Sequence, residues 1–296
     1  MGLVRPQVAC RREGKQMRHI SALLLTIMLL TETSFAEATA IAWGSNHYGQ
    51  CNIPSNESFI QISAGNRHTV GLRADGSAIA WGSNSDGQCN IPAGETLVQI
   101  AAGVSHTVGL RSDGTAVVWG DNSSGQQNVP AGETFVDITA GNMHTIGLRA
   151  DGTAIAWGLN NLGQCNVPSG EFFVQIAAGM PPTIGLRADG TAIAWGDNFY
   201  GECDIPSGET FIYIAAGWYH SIGLREDGTA IVWGNNTSGQ GNVPSGHSFV
   251  QVEAGSSHTV GLRTDGTLIA WGDNSSDQCN VPSGVTFQNI ESGNRH

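Results

Sequence analysis

Residues 59–96 read FIQISAGNRHTVGLRADGSAIAWGSNSDGQCNIPAGET. FIQIS alternates apolar and polar side chains, the period of a half-buried strand. HTVGLR sets Val70 and Leu72 around Gly71 and reads as a second strand. Ala-Asp-Gly-Ser follows. Asp-Gly between two alternating runs is a hairpin signal, because Gly accepts a positive φ. SAIAW is a third strand. After the loop SNSDG, QCNIP reads as a short fourth strand, ended by Pro92, which cannot donate to an interior ladder. No stretch shows helical periodicity. Four antiparallel strands in 38 residues make one blade of a β-propeller, an all-β fold.

The unit recurs. Trp43, Trp81, Trp119, Trp157, Trp195, Trp233 and Trp271 are each followed by Gly and stand 38 residues apart; Trp218 falls outside the series. A fixed period of this length marks a propeller, solenoid or array. Seven copies predict a seven-bladed β-propeller. The array opens at Thr39 with strands three and four of a blade. It closes over Phe287–His296 with strand one and the start of strand two. The seventh blade is therefore expected to be completed from both termini, with about one strand missing at the C-terminus. Ala78 and Ala80 share one face of their strand, Ile79 and Trp81 the other. Large side chains of one blade can then fill space over small ones of the next, so the periodic Trp and Ile are read as inter-blade core.

Residues 1–36 lie outside the pattern. Arg5, Arg11, Arg12, Lys15 and Arg18 precede the apolar run ISALLLTIMLL, and TETSFA follows. Basic, apolar, then small-x-small is the layout of a secretory signal peptide, here cut after Ala36, with Met17 as an alternative start. A short membrane anchor is the other reading, although the run's 11 residues fall short of the roughly 20 a span needs. Residues 37–296 then form the propeller of an exported protein, secreted or periplasmic. That part carries 8 basic and 23 acidic residues, a net charge of −15, and no Lys. Six of its Arg occupy one repeat position, before the Asp-Gly turn. Without a basic patch, nucleic acid and anionic membranes are poor partners, and a basic protein partner is favoured.

The unit AAG-x-x-HT-x-GL-R-x-DG-T-x-x-x-WG-x-N-x-x-GQ stands nearly whole in six copies and spans residues 38–296. It resembles the repeat of the regulator of chromosome condensation family, in the short form of secreted bacterial proteins. The resemblance implies a seven-bladed propeller. It implies no single function, since the family includes exchange factors for small GTPases, chromatin binders and a secreted propeller that inhibits β-lactamases. The missing basic tails depart from the chromatin binders, and an export leader departs from a cytosolic exchange factor. The 38-residue unit and leader look most like the secreted inhibitor type.

Chemistry-bearing residues recur without forming a reaction centre. His68, His106, His144, His220, His258 and His296 share one position, with Pro182 in the fourth copy. Metal ligands must converge around bonds of about 2 Å, and equivalent atoms of neighbouring blades do not, so a hydrogen-bonded structural role is expected. Cys51, Cys89, Cys165, Cys203 and Cys279 share another position, too far apart for bridges that need Cα atoms within about 7 Å. No nucleophile elbow, phosphate loop or zinc-protease motif is present. The expectation is a protein with no catalytic residues, no metal and no cofactor.

Two sites vary while the frame holds. One is the pair before the His: Asn66-Arg67, Val104-Ser105, Asn142-Met143, Met180-Pro181, Trp218-Tyr219 and Ser256-Ser257. The other follows Trp-Gly-x-Asn: His47-Tyr48, Ser85-Asp86, Ser123-Ser124, Asn161-Leu162, Phe199-Tyr200, Thr237-Ser238 and Ser275-Ser276. In an antiparallel blade both loops lie at the same end and line one face. Large residues gather in adjacent blades: Met180, Phe199, Tyr200, Trp218 and Tyr219. Aromatic clusters within a polar rim are binding hot spots, so these five are the expected partner-binding residues of a protein-binding module. Exposed aromatics also stack on sugars, which makes a carbohydrate or cell-envelope ligand the alternative. An inhibitor of an extracellular enzyme is one concrete form of the first reading. An exchange-factor-like regulator or effector follows from the resemblance alone.

Overall fold

Each Asp-Gly turn does join two strands. In this computed structural model, which describes residues 40–180, 182–293 and 296, the regular elements are all strands. The leader read over residues 1–36 lies outside the described residues. The repeat at 59–96 gives β1 (Gln61–Ala64), β2 (His68–Leu72) and β3 (Ala78–Gly82), an antiparallel sheet in that order. Five more such sheets follow: β4 (Leu97–Ala102), β5 (His106–Arg111), β6 (Ala116–Gly120); β7 (Asp137–Ala140), β8 (His144–Leu148), β9 (Ala154–Gly158); β10 (Gln175–Ala178), β11 (Thr183–Leu186), β12 (Ala192–Trp195); β13 (Tyr213–Ala216), β14 (His220–Leu224), β15 (Ala230–Gly234); and β16 (Phe249–Ala254), β17 (His258–Arg263), β18 (Leu268–Gly272).

The turn between β2 and β3 is a type I turn closed by a left-handed glycine. Gly76 donates its N–H to the Arg73 carbonyl at 3.0 Å and has φ 82°. The Asp75 carboxylate accepts both the backbone N–H and the hydroxyl of Ser77. Arg73 then reaches back to Glu57 through two nitrogens, at 2.6 and 2.9 Å. Arg111, Arg149, Arg187 and Arg225 make the same ion pair with the Glu 16 residues earlier. At Arg263 that Glu is His247, and the Arg263 Nε has no hydrogen-bond partner, only Asp265 at 4.0 Å.

The core lies between sheets. Val70 and Leu72 of β2 pack with Leu97 and Ile100 of the next copy and with its Trp119, and the other repeats build the same cluster. Phe59 stacks on Trp81 at 5.6 Å, and a Cβ on Gly71 would sit 2.4 Å from the Phe59 ring. That close approach explains the Gly between Val70 and Leu72. The periodic Trp is inter-blade core, as its spacing implied.

Side chains also tie each copy to the next. His68 Nε2 lies 2.9 Å from the Thr107 hydroxyl, which gives its own proton to the Gln88 carbonyl. Nε2 is therefore the protonated nitrogen, and Nδ1 has no partner. His106, His144 and His220 bond to Thr145, Thr183 and Thr259 in the same way. Trp81 donates its indole N–H to the Gln50 carbonyl at 2.8 Å, and each later repeat Trp bonds 31 residues back.

The two ends of the described chain join this pattern. Trp43 donates to the Gln278 carbonyl at 3.0 Å and its ring meets Phe287. Ser292 bonds His258, and His296 bonds Thr69 at 3.4 Å.

The expected fourth strand is not formed among the described residues. In QCNIP and its counterparts the first two residues are turn and the last three irregular. The Asn84 side chain accepts the Cys89 N–H, Asn90 donates to Gly87 and Ile91 donates to Cys89. Backbone donors spent on local acceptors cannot extend a ladder. Polar Asn, with Gly at the turn, outweighs the alternation read in Cys-Asn-Ile-Pro.

Candidate interaction face

The β1–β2 loop and the loop after β3 lie at the same end of the sheet, as predicted. Ser83 N–H donates to the Arg67 carbonyl at 2.7 Å, and Asp121, Leu159, Asn235 and Asp273 repeat the bond. In these five copies the variable pair before the His is thus stitched to the variable loop of its own blade. Arg67 and Tyr219 also face the loop of the preceding blade, 19 residues earlier. In the first groove the Arg67 guanidinium lies 4.7 Å over the Tyr48 ring. The equivalent pair between the fourth and fifth copies is Tyr200 and Tyr219.

Four of the five predicted contact residues form one continuous aromatic row. Phe199 meets Tyr200 edge-on at 4.8 Å; Tyr200 meets Tyr219 at 5.2 Å; Tyr219 meets Trp218 at 6.2 Å. Phe199 is 79% exposed and Tyr200 44%, while Trp218 and Tyr219 are half-buried. The fifth, Met180, stands at the inner end. Its backbone N–H bonds the Gly217 carbonyl, and it lines the axial opening with Trp218, Asn66, Val104 and Asn142.

The loop bearing Phe199 and Tyr200 is DNFYGECD. Its Glu202 replaces the Gln of the other six copies and is fully covered, close under the surface. One carboxylate oxygen accepts the Tyr200 N–H at 2.7 Å; the other has no partner. In the copies with Gln126 and Gln278, the side-chain amide donates to the Asp five residues earlier. Glu202 cannot make that bond to Asp197 when ionised. Burial, then the charges of Asp197 and Asp204, hold its carboxyl above the usual range. Burial and the same carboxylates push the Cys203 thiol up to about 12.

The five described cysteines are free and half-buried, each thiol on the carbonyl six residues earlier at 3.0–3.3 Å. Burial pushes Cys51, Cys89, Cys165 and Cys279 up to about 11, which keeps them protonated. Among the described residues no group of His, Cys, Asp or Glu could hold a metal.

Two features escaped the sequence reading. The first is an axial cavity of about 250 Å³, lined by Gln61, Gln99, Gln175, Tyr213, Glu253 and Glu291 among others. The Gln residues bridge neighbouring copies; Gln61, for example, bonds both backbone groups of Ile100. Tyr213 breaks that series and donates to Glu253 at 2.6 Å. Burial raises Glu253 to about 7 and also raises Glu291, which lies open to the cavity. The signal was the Gln-to-Tyr change at a repeat position. The second is a ring of exposed aliphatics where each copy enters its first strand: Ile60, Val98, Val136, Val174, Ile212 and Val250. They stand at the Asp-Gly end, opposite the variable loops, and are evenly spread.

Comparison with known proteins places these features. A model of the Regulator of chromosome condensation (RCC1) repeat matches residues 59–88, 97–126, 135–164, 211–240 and 249–278, together half of the chain. The unmatched fourth copy is the one with Pro182. A search among curated proteins returns no match. Among solved structures, Prp20p of Saccharomyces cerevisiae, described with its binding to Gsp1p and histones, is 19% identical with a TM-score of 0.73, over 86% of this chain and 89% of that one. The ectodomain of the Physcomitrella patens receptor kinase CR4 is 26% identical with a TM-score of 0.69, over 78% and 68%. The ectodomain of the Arabidopsis thaliana receptor kinase ACR4 is 22% identical with a TM-score of 0.67, over 79% and 89%. The repeat carried by five copies, together with the propeller fold, assigns the chain to the regulator of chromosome condensation repeat family.

Proposed function

We propose that this chain is an exported, non-enzymatic propeller of seven blades that holds a protein partner on its variable face. Residues 1–36 would act as the signal peptide and residues 37–296 as the propeller. The seventh blade would be assembled from both termini, a reading supported by the Trp43–Gln278 and His296–Thr69 bonds. The observation that carries the functional reading is the aromatic row Phe199–Tyr200–Tyr219–Trp218, on two adjacent blades beside Met180. Large rings exposed on rigid, short loops bury much area at small entropic cost, the chemistry of a hot spot. Prp20 is described in complex with Kap60 and in binding Gsp1p and histones, so this fold serves protein recognition elsewhere. Inhibition of an extracellular enzyme remains one form of the reading.

The test uses residues 37–296 as bait against secreted and surface proteins of its environment. W218A and Y219A should each weaken the captured complex by at least tenfold, about 1.4 kcal/mol or more, with the melting temperature little changed. Retention of binding by both variants would remove the aromatic row as the contact. The exposure of Phe199 also suits stacking on a sugar ring, and a glycan array distinguishes that ligand.

A further inference from the structure

The partner-binding row carries a charge signature that narrows what it can hold. DNFYGECD places three carboxylates, Asp197, Glu202 and Asp204, in one loop, more than any other copy has there. Glu202 is fully covered, and one of its oxygens lacks any partner. The other oxygen takes the Tyr200 N–H, so the charge lies directly beneath the aromatic row. Among the described residues, the Asp204 carboxylate is engaged by a neutral donor, the Asn198 amide. Five of the six periodic Arg are committed to Glu at the far end of the sheets.

The molecule also shows what this groove accepts. Tyr48 and Tyr200 are equivalent positions, 152 residues or four repeats apart. Over Tyr48 lies a guanidinium, that of Arg67. At Tyr200 the place of Arg67 is taken by Tyr219, which offers a second ring in place of a cation. An aromatic face attracts a cation through its quadrupole, more strongly when a negative charge lies behind it.

We propose that the row Phe199–Tyr200–Tyr219–Trp218 receives an arginine side chain of the partner, its guanidinium on the Tyr200 and Tyr219 rings and its charge balanced by Asp197, Glu202 and Asp204. This rests on the reading of the row as the partner contact and names the chemistry it selects. Glu202 acts through its field, since it is covered; the rings make the contact. The neutral partner residue of the same shape is the wrong ligand, because it leaves the buried carboxylate uncompensated.

The probe pair is N-acetyl-arginine amide and N-acetyl-citrulline amide, alike in shape and different in charge. Each is titrated into residues 37–296 while the Tyr ring resonances are followed by NMR. The arginine amide should shift the Tyr200 and Tyr219 signals saturably and bind about tenfold more tightly than the citrulline amide. E202Q installs the residue of the other six copies, so it should fold, and it should cut arginine binding about fivefold while leaving citrulline unchanged. Y200L should erase the preference. Equal binding of the two amides overturns the proposal, as does an arginine preference that survives both E202Q and Y200L. The two ideas fail separately. A partner lost on W218A, combined with equal binding of the amides, leaves the row a contact and removes only its choice of arginine.

Discussion

Glu202 shows how one atom-pair change alters a repeat. Gln and Glu have the same shape, and in the other copies the Gln oxygen takes the N–H that Glu202 takes from Tyr200. Gln126 and Gln278 then donate from the amide to an Asp, whereas Glu202 meets Asp197 as a second carboxylate. A buried polar atom without a partner costs about 1–3 kcal/mol. E202Q should therefore raise stability at neutral pH by roughly 1 kcal/mol. The sign with pH follows from the raised folded-state value. An ionised Glu202 is penalised in the folded state, and the penalty is full above the folded pKa. It disappears as pH falls through that value toward the unfolded one. The gap between E202Q and the parent chain, measured by urea unfolding, should shrink as pH falls from 7 toward the ordinary carboxylate range. A constant gap would mean that Glu202 titrates alike in the folded and unfolded chain, so that its covered site places no penalty on the charge.

At the scale of elements, the fourth copy is the irregular one. Elsewhere His opens the second strand and pairs with the Gly after Trp, as His68 does with Gly82. Pro182 has no N–H, and β11 and β12 each stop one residue short. It also cannot donate to Ser221, which stands where the His of other copies meets Thr. P182H should restore both the ladder pair with Gly196 and the bond to Ser221, stabilising the fold by about 1–2 kcal/mol with an unchanged denaturant slope. No gain would mean that a side chain at position 182 does not reach Gly196 and Ser221. Such tertiary bonds also mark the limit of the sequence. Strands, turns and the shared end of the variable loops were legible, because alternation and Asp-Gly are local signals. The fourth strand was misread because Asn84 captures the Cys89 N–H, a side-chain competition that alternation does not report. The aromatic row was legible from what varies between copies. The charge beneath it was legible only as a Glu among Gln, whose meaning needs the burial and the empty oxygen. The axial carboxylates met only once the sheets were placed around one cavity.

Across the whole molecule, the same inter-copy bonds make stability depend on acid. His68, His144, His258 and His296 are lowered to about 4, and His106 and His220 to about 3, chiefly by burial. Neighbouring His charges lower His106, His220 and His296 further, while Asp121 and Asp273 pull His106 and His258 weakly upward. Each ring already gives its one proton from Nε2 to a hydroxyl of the next copy, as His68 does to Thr107, and Nδ1 has nothing to bond a second proton to. The unfolded chain binds that proton near pH 6.5. Stability from these groups is therefore complete above about pH 6.5 and is lost as pH falls toward their folded values. Glu253, raised to about 7, acts in the opposite sense, since its buried charge is relieved between pH 7 and the usual carboxylate range. Glu291, Glu202 and Asp137 are raised by burial too and act with Glu253, so six His against four carboxyls leave a net loss as pH falls below 6, smaller per His than the roughly 1 kcal/mol per pH unit that each contributes alone. Urea midpoints should hold from pH 8 to 7 and fall steeply from pH 6 to 4. H106Q keeps a side-chain donor without a titrating ring, so it should start less stable and lose less on acidification, by about one proton's share of the slope. A midpoint that stays level down to pH 4.5 would show that the rings are reached by water and carry no such linkage.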